Sequence, residues 1–151
     1  RGIDPKRLIF GENLPRAKYL ARYRVADLFL DTSPYNAGTT ASDALRMGLP
    51  VLTFKGNSFN SREASGVISA LNLPELISNS KEEYETLAIE FAKDPLKLKT
   101  TREKLLNNLE TAPLYDATQF TKNIESAYLQ MHKRHYQNLK PKNIIIEHQK
   151  S

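Results

Sequence analysis

Cysteine is absent from the 151 residues, which excludes disulfides and thiolate metal sites and makes a reducing cytosol the expected home. Long apolar runs are missing too. No stretch approaches the roughly 20 residues needed to cross a bilayer, so no membrane span is expected. There is no Asp-x-Asp pair to hold a divalent ion on a diphosphate, no Gly-x-Ser-x-Gly elbow and no Walker lysine motif. The three histidines, His132, His135 and His148, lie near the C-terminus. The first two are three apart on an expected helix, with no carboxylate cluster or third ligand beside them, so no metal site is expected. The opening residues, RGIDPKRLIF, have neither an initiator methionine nor the apolar core of a signal peptide, and the chain is expected to be part of a longer protein.

What is present has the composition of a globular protein, 40% hydrophobic and 26% charged, and a length that fits one domain. The net charge of +5 sits in the second half: residues 1–92 balance 11 basic against 11 acidic side chains, and residues 93–151 hold 11 against 6. Those basic residues are spread along helical faces without interleaved aromatic or glycine-rich contacts, so no nucleic-acid partner is expected.

The first half alternates short apolar runs with helical patterns. RLIF (7–10), ADLFLD (26–31) and PVLTF (50–54) read as strands, and PRAKYLARY (15–23) and TASDALRMG (40–48) as helices. This alternation predicts a Rossmann-like parallel sheet with flanking helices, its strand-to-helix loops gathered along one edge. A helix carrying Ala64, Val67, Ile68 and Leu71 follows, with Asn60 and Glu63 as a cap pair and Pro74 as its stop. The rest is helical. Ser80 and Glu83 form a capping box before Tyr84, Leu87, Ala88 and Phe91; Asp94 and Pro95 open a helix with Leu98, Leu105, Leu106 and Leu109. Asp116 and Gln119 open another, whose stripe of Phe120, Ile124, Ala127, Tyr128 and Met131 reads as core. Ile144 to Ile146 are expected to dock on a neighbouring surface.

In an open parallel sheet, ligands collect beyond the carboxyl ends of the strands. Two loops there are informative. In DTSPYNAGTTASD (31–43), Gly38 permits close backbone approach, Thr39 and Thr40 offer hydroxyl and amide donors at a positive helix end, and Asp43 is placed to accept from a ribose diol. The same spacing also reads as a plain capping box between Thr40 and Asp43. In FGENLPRAKYLARY (10–23), Arg16 reaches for a phosphate or sugar oxygen, Tyr19 presents a ring for a base, and Arg22 lies one turn on; the same basic residues also read as a solvated surface.

The run RYRVADLFLDTSPYNAGTTASDALRMGLPVLTFKGNSFNSREASGVISALNLPELI (22–77), continued by KEEYETLAIEFAKD and LYDATQFTKNIESAYLQM, resembles the O-GlcNAc transferase and SPINDLY-like glycosyltransferases of family 41, with a bacterial cast. The resemblance implies a partial C-terminal half of a GT-B fold, with residues 1–138 as a partial nucleotide-sugar-binding domain and 139–151 as a tail. It implies that Thr39 and Thr40 bind the UDP phosphates, that Asp43 takes the ribose, that the Leu14–Arg16 loop reads the uracil through its backbone, and that Arg22 lies near the base. It further implies inverting, metal-independent transfer from UDP-GlcNAc or a related donor to protein hydroxyls. No cofactor is implied beyond the donor substrate. Three positions depart from the animal enzymes: Gly38 replaces a histidine, Tyr19 replaces the histidine stacked on uracil, and Arg46 stands where a large apolar residue is usual. The acceptor half, the tetratricopeptide repeats and an earlier donor-gripping segment of the family are not in these residues, so the chain alone is expected to be inactive. A non-catalytic interaction module is the alternative.

Overall fold

The computed structural model describes residues 2–146. Its parallel sheet has the order β1 (Phe29–Leu30), β2 (Val51–Phe54), β3 (Ile77–Ser78), with Phe29 opposite Val51 and Thr53 opposite Ile77. One strand expectation is corrected and one strand is added. RLIF is not a strand: Asp4 Oδ1 accepts from the Lys6 amide, Pro5 opens a 3-10 turn, and the Leu8 amide bonds back to the Pro5 carbonyl instead of joining a ladder. Leu8, Ile9 and Phe10 are left exposed. The third strand is instead Ile77–Ser78, two residues too short to show a period. Its place is secured because Ser78 Oγ donates to the Thr53 carbonyl at 3.0 Å and the Lys55 amide to the Ser78 carbonyl at 2.9 Å.

The chain forms helices α1 (Arg16–Arg22), α2 (Thr39–Arg46), α3 (Glu63–Ala70), α4 (Lys81–Lys93) and α5 (Pro95–Thr111), of which α2, α3 and α4 pack on the sheet. The i, i+3, i+4 spacing on α2 and α3 buries Ala41, Ala44, Leu45, Ala64 and Ile68 against Val51 and Leu52 of β2. Leu49, Leu71, Leu73 and Leu76, Phe91 of α4 and Leu105 of α5 join them in the core. At the end of α2, Gly48 takes φ +77°, and the Leu49 amide reaches back to the Ala44 carbonyl at 2.9 Å, so the chain re-enters the sheet within three residues. A side chain at 48 would also strike Leu106, 2.8 Å from its Cβ.

Most of the capping expectations hold. Ser80 Oγ accepts from the Glu83 amide at 3.0 Å, although Glu83 returns its carboxylate to the Asn79 amide, one residue early. Asp94 accepts from Lys97 at 2.9 Å. The Asn60–Glu63 pair does not form: Arg62 is the N-cap of α3 without a side-chain bond, and the preceding turn is closed by Ser58 and Ser61 bonding each other.

The chain divides into two compact units, Arg1–Glu110 and Thr111–Ser151. The second consists chiefly of α6 (Ala117–Tyr136), opened as expected by Asp116 accepting from the Gln119 amide at 2.8 Å. Its apolar stripe is not core. Phe120, Tyr128 and Met131 are exposed and no residue of α6 is buried. The physical reason is size: one helix and a short tail have too little chain to enclose an apolar face. Only around Ala127 and Met131 does the tail, through Leu139, Pro141 and Ile144, fold over it, leaving a groove of about 510 Å³. His148 lies outside the described residues.

Candidate functional site

β1 runs directly into Asp31, a buried carboxylate that the sequence reading did not single out. Its Oδ1 accepts from the amides of Thr32 and Ala37, both at 2.8 Å, and its Oδ2 accepts from Thr53 Oγ1 on β2 at 2.6 Å. Tyr84 of α4 donates its hydroxyl to the Asp31 carbonyl at 2.9 Å; burial, then the nearby carboxylate, pushes the phenol above its ordinary value. Asn36, also buried, donates its amide to the Asn60 carbonyl at 3.0 Å and its side chain to the Thr32 carbonyl at 2.9 Å. The loop from 32 to 37 is thereby fixed by buried polar bonds from both sides, and it delivers Gly38 to the start of α2.

The N-cap of α2 is Gly38, which has no side chain to make a capping bond. The capping box between Thr40 and Asp43 is therefore not what these residues form. Thr39 and Thr40 are exposed at the first turn. Asp43 is buried and faces the other loop: Arg16 donates Nη1 to Oδ2 and Nη2 to Oδ1, both at 2.7 Å, a bidentate pair. The hydrogen bond to Asp43 raises the Arg16 guanidinium further above its already high value.

Around this pair the first loop is ordered. Arg16 lies over the Tyr19 ring at 5.6 Å from its centroid, and Tyr19 meets Tyr23 edge-on at 5.4 Å with their hydroxyls 2.5 Å apart. Burial, then the bond to Tyr19, pushes the Tyr23 phenol well above its usual range. Tyr23 was missed by the sequence reading, though its i+4 spacing from Tyr19 was a usable signal. Leu14 is half-buried just ahead of Pro15, the N-cap of α1. Arg22 does not join the cluster; its Nη2 donates to the Glu12 carbonyl at 2.5 Å, bracing the chain ahead of α1. The structure thus brings together Arg16, Tyr19 and Asp43, sets Thr39 and Thr40 one turn away on α2, and turns Arg22 elsewhere.

The family model for glycosyl transferase family 41 matches residues 1–124. The chain belongs to glycosyltransferase family 41. A UDP-N-acetylglucosamine–peptide N-acetylglucosaminyltransferase of Caenorhabditis elegans is 33% identical over 135 residues, covering 89% of this chain and 12% of that protein. The probable transferase SEC of Arabidopsis thaliana is 31% identical over 97% of this chain and 15% of its own length. Among solved structures, a mutant O-GlcNAc transferase of Thermobaculum terrenum superposes with a TM-score of 0.80 at 37% identity, over 87% of this chain and 25% of that one. The chain therefore spans about an eighth of the curated relatives it matches. The expected fold class holds: a three-stranded parallel sheet with flanking helices, as in part of a GT-B transferase. Among the described residues no helix is long and apolar enough to cross a membrane.

Proposed function

We propose that this chain is the donor-binding part of an inverting, metal-independent glycosyltransferase that moves GlcNAc or a related sugar from UDP to serine or threonine hydroxyls of an acceptor protein. The observation that carries this reading is the Arg16–Asp43 pair, which ties the loop expected to read the base to the helix expected to hold the phosphates. Pairing does not exhaust either group. A carboxylate offers about four acceptor sites and a guanidinium five donors, so with two bonds between them Asp43 keeps capacity for a ribose diol and Arg16 keeps donors for a phosphate or sugar oxygen. Arg16 remains open, with 62% of its side chain exposed.

In the reaction so read, an acceptor hydroxyl oxygen forms a bond to the anomeric carbon as the bond from that carbon to the β-phosphate oxygen breaks. The leaving electron pair stays on UDP, and the hydroxyl proton passes to a base contributed from outside these residues. The contribution of this chain is to hold the leaving diphosphate: the amides and hydroxyls of Thr39 and Thr40 and the positive end of α2 stabilise charge that grows as the bond breaks. The Tyr19 ring supplies a face for the base and the Leu14–Arg16 backbone its edge. Arg22 acts through the loop it braces.

Titration of UDP into the chain, followed residue by residue by NMR, tests this. Saturable shifts confined to residues 14–23 and 38–43 are expected. Silence at millimolar UDP, with dispersed native spectra, overturns the reading in favour of an interaction module that keeps the fold without the ligand.

A further inference from the structure

The entrance to α2 is not vacant. Gly38, its N-cap, is covered by the side chain of Glu63: a Cβ built on Gly38 would lie 2.6 Å from Glu63 Cδ and 3.1 Å from Oε2, and closer still to Oε1. Glu63 is itself the first residue of α3, so its carboxylate stands where the positive ends of two helices approach each other. None of the ion pairs among the described residues involves it. It is half-buried, and its contact is possible only because position 38 carries no side chain.

We propose that Glu63 is a built-in competitor for the donor's diphosphate: its carboxylate lies against Gly38 at the start of α2 and must withdraw before the phosphates reach Thr39 and Thr40. The inference rests on the donor site proposed above. Two anions cannot share one helix entrance without a cost, and a unit charge within a few ångströms opposes a second even through water. Glu63 thereby sets donor affinity below what the loop geometry alone would allow. It also favours fast release of UDP, because the carboxylate returns to the vacated position.

The test is UDP and uridine titration of the whole chain beside Glu63→Gln and Glu63→Ala, read by NMR. Both variants are expected to bind UDP about five-fold tighter or more, while uridine, which has no phosphate, binds all three proteins alike. Unchanged UDP affinity in both variants overturns the inference and leaves the donor site standing; Glu63 then serves only to neutralise two helix ends, and a lowered melting temperature is its sole trace. Weaker UDP binding in the variants overturns it in the opposite direction, since Glu63 would then hold the donor. If none of the three proteins binds UDP, the donor site falls and the inference falls with it.

Discussion

Residues 29–76 and the helix α6 carry apolar patterns of comparable clarity, yet only the first becomes a core. In the first region the stripes of α2 and α3 meet a strand between them, and Leu45, Leu52 and Ile68 end at 0% exposure. On α6 an equally regular stripe leaves Phe120 at 65% and Tyr128 at 60%. Periodicity reports which face of a helix is apolar; it does not report whether enough other chain is present to cover that face.

The largest expected effect separates the two regions directly. Truncating Ile68 or Leu52 to alanine removes atoms from a closed core and costs about 2–5 kcal/mol in urea unfolding. Truncating Phe120 to alanine on α6, where 65% of the residue is exposed, leaves no enclosed void and costs less than about 1 kcal/mol. Comparable losses at Ile68 and Phe120 would erase the distinction and mean that α6 is covered in solution.

A smaller effect contrasts two aspartates that each accept a backbone amide. Asp116 caps the exposed start of α6, and its replacement by alanine costs about 1 kcal/mol. Asp31 accepts three bonds inside the sheet edge. Its replacement by alanine leaves the Thr53 hydroxyl and the Ala37 amide unpaired, for about 1–3 kcal/mol. Only the Asp31 change should also weaken UDP-induced shifts at residues 38–43, because only it loosens the loop that delivers Gly38. Full shifts in a folded Asp31→Ala protein would show that α2 sets its own entrance.

Much of this was legible in advance. The parallel sheet, the helices and most caps follow from local spacing, and the two loops at the candidate site announce themselves by residue type. What escaped depends on partners distant in sequence. Asp31 looks like any strand-end acid until Thr53, 22 residues on, is seen to donate to it. Ile77–Ser78 has no pattern of its own and is a strand only because β2 lies beside it. The reverse error, RLIF, arose where an apolar run suited a strand but its amides were claimed by the turn at Pro5. Likewise Asp43 invited a capping role by its spacing from Thr40, and Arg16, 27 residues away, took it instead. Gly38 was read as room for a ligand; the room is filled by Glu63.

The smallest expected effect lies within the site and depends on pH. The Tyr23 phenol is raised above its ordinary value near 10, first by burial and then by its bond to Tyr19. A group whose value is raised on folding stabilises the protein below its unfolded value, and that stabilisation is lost as pH climbs toward the folded one. Replacing Tyr23 by phenylalanine removes both the bond and the titration. At pH 7 the variant should therefore be less stable by about 0.5–1.5 kcal/mol, and above pH 10 the gap should close as the wild-type phenol is driven toward ionisation. Tyr84, also raised, is present in both proteins and cancels in the difference. A gap that stays constant from pH 7 to 11 in parallel thermal melts would mean that the Tyr19–Tyr23 contact contributes through ring packing, not through its shared proton.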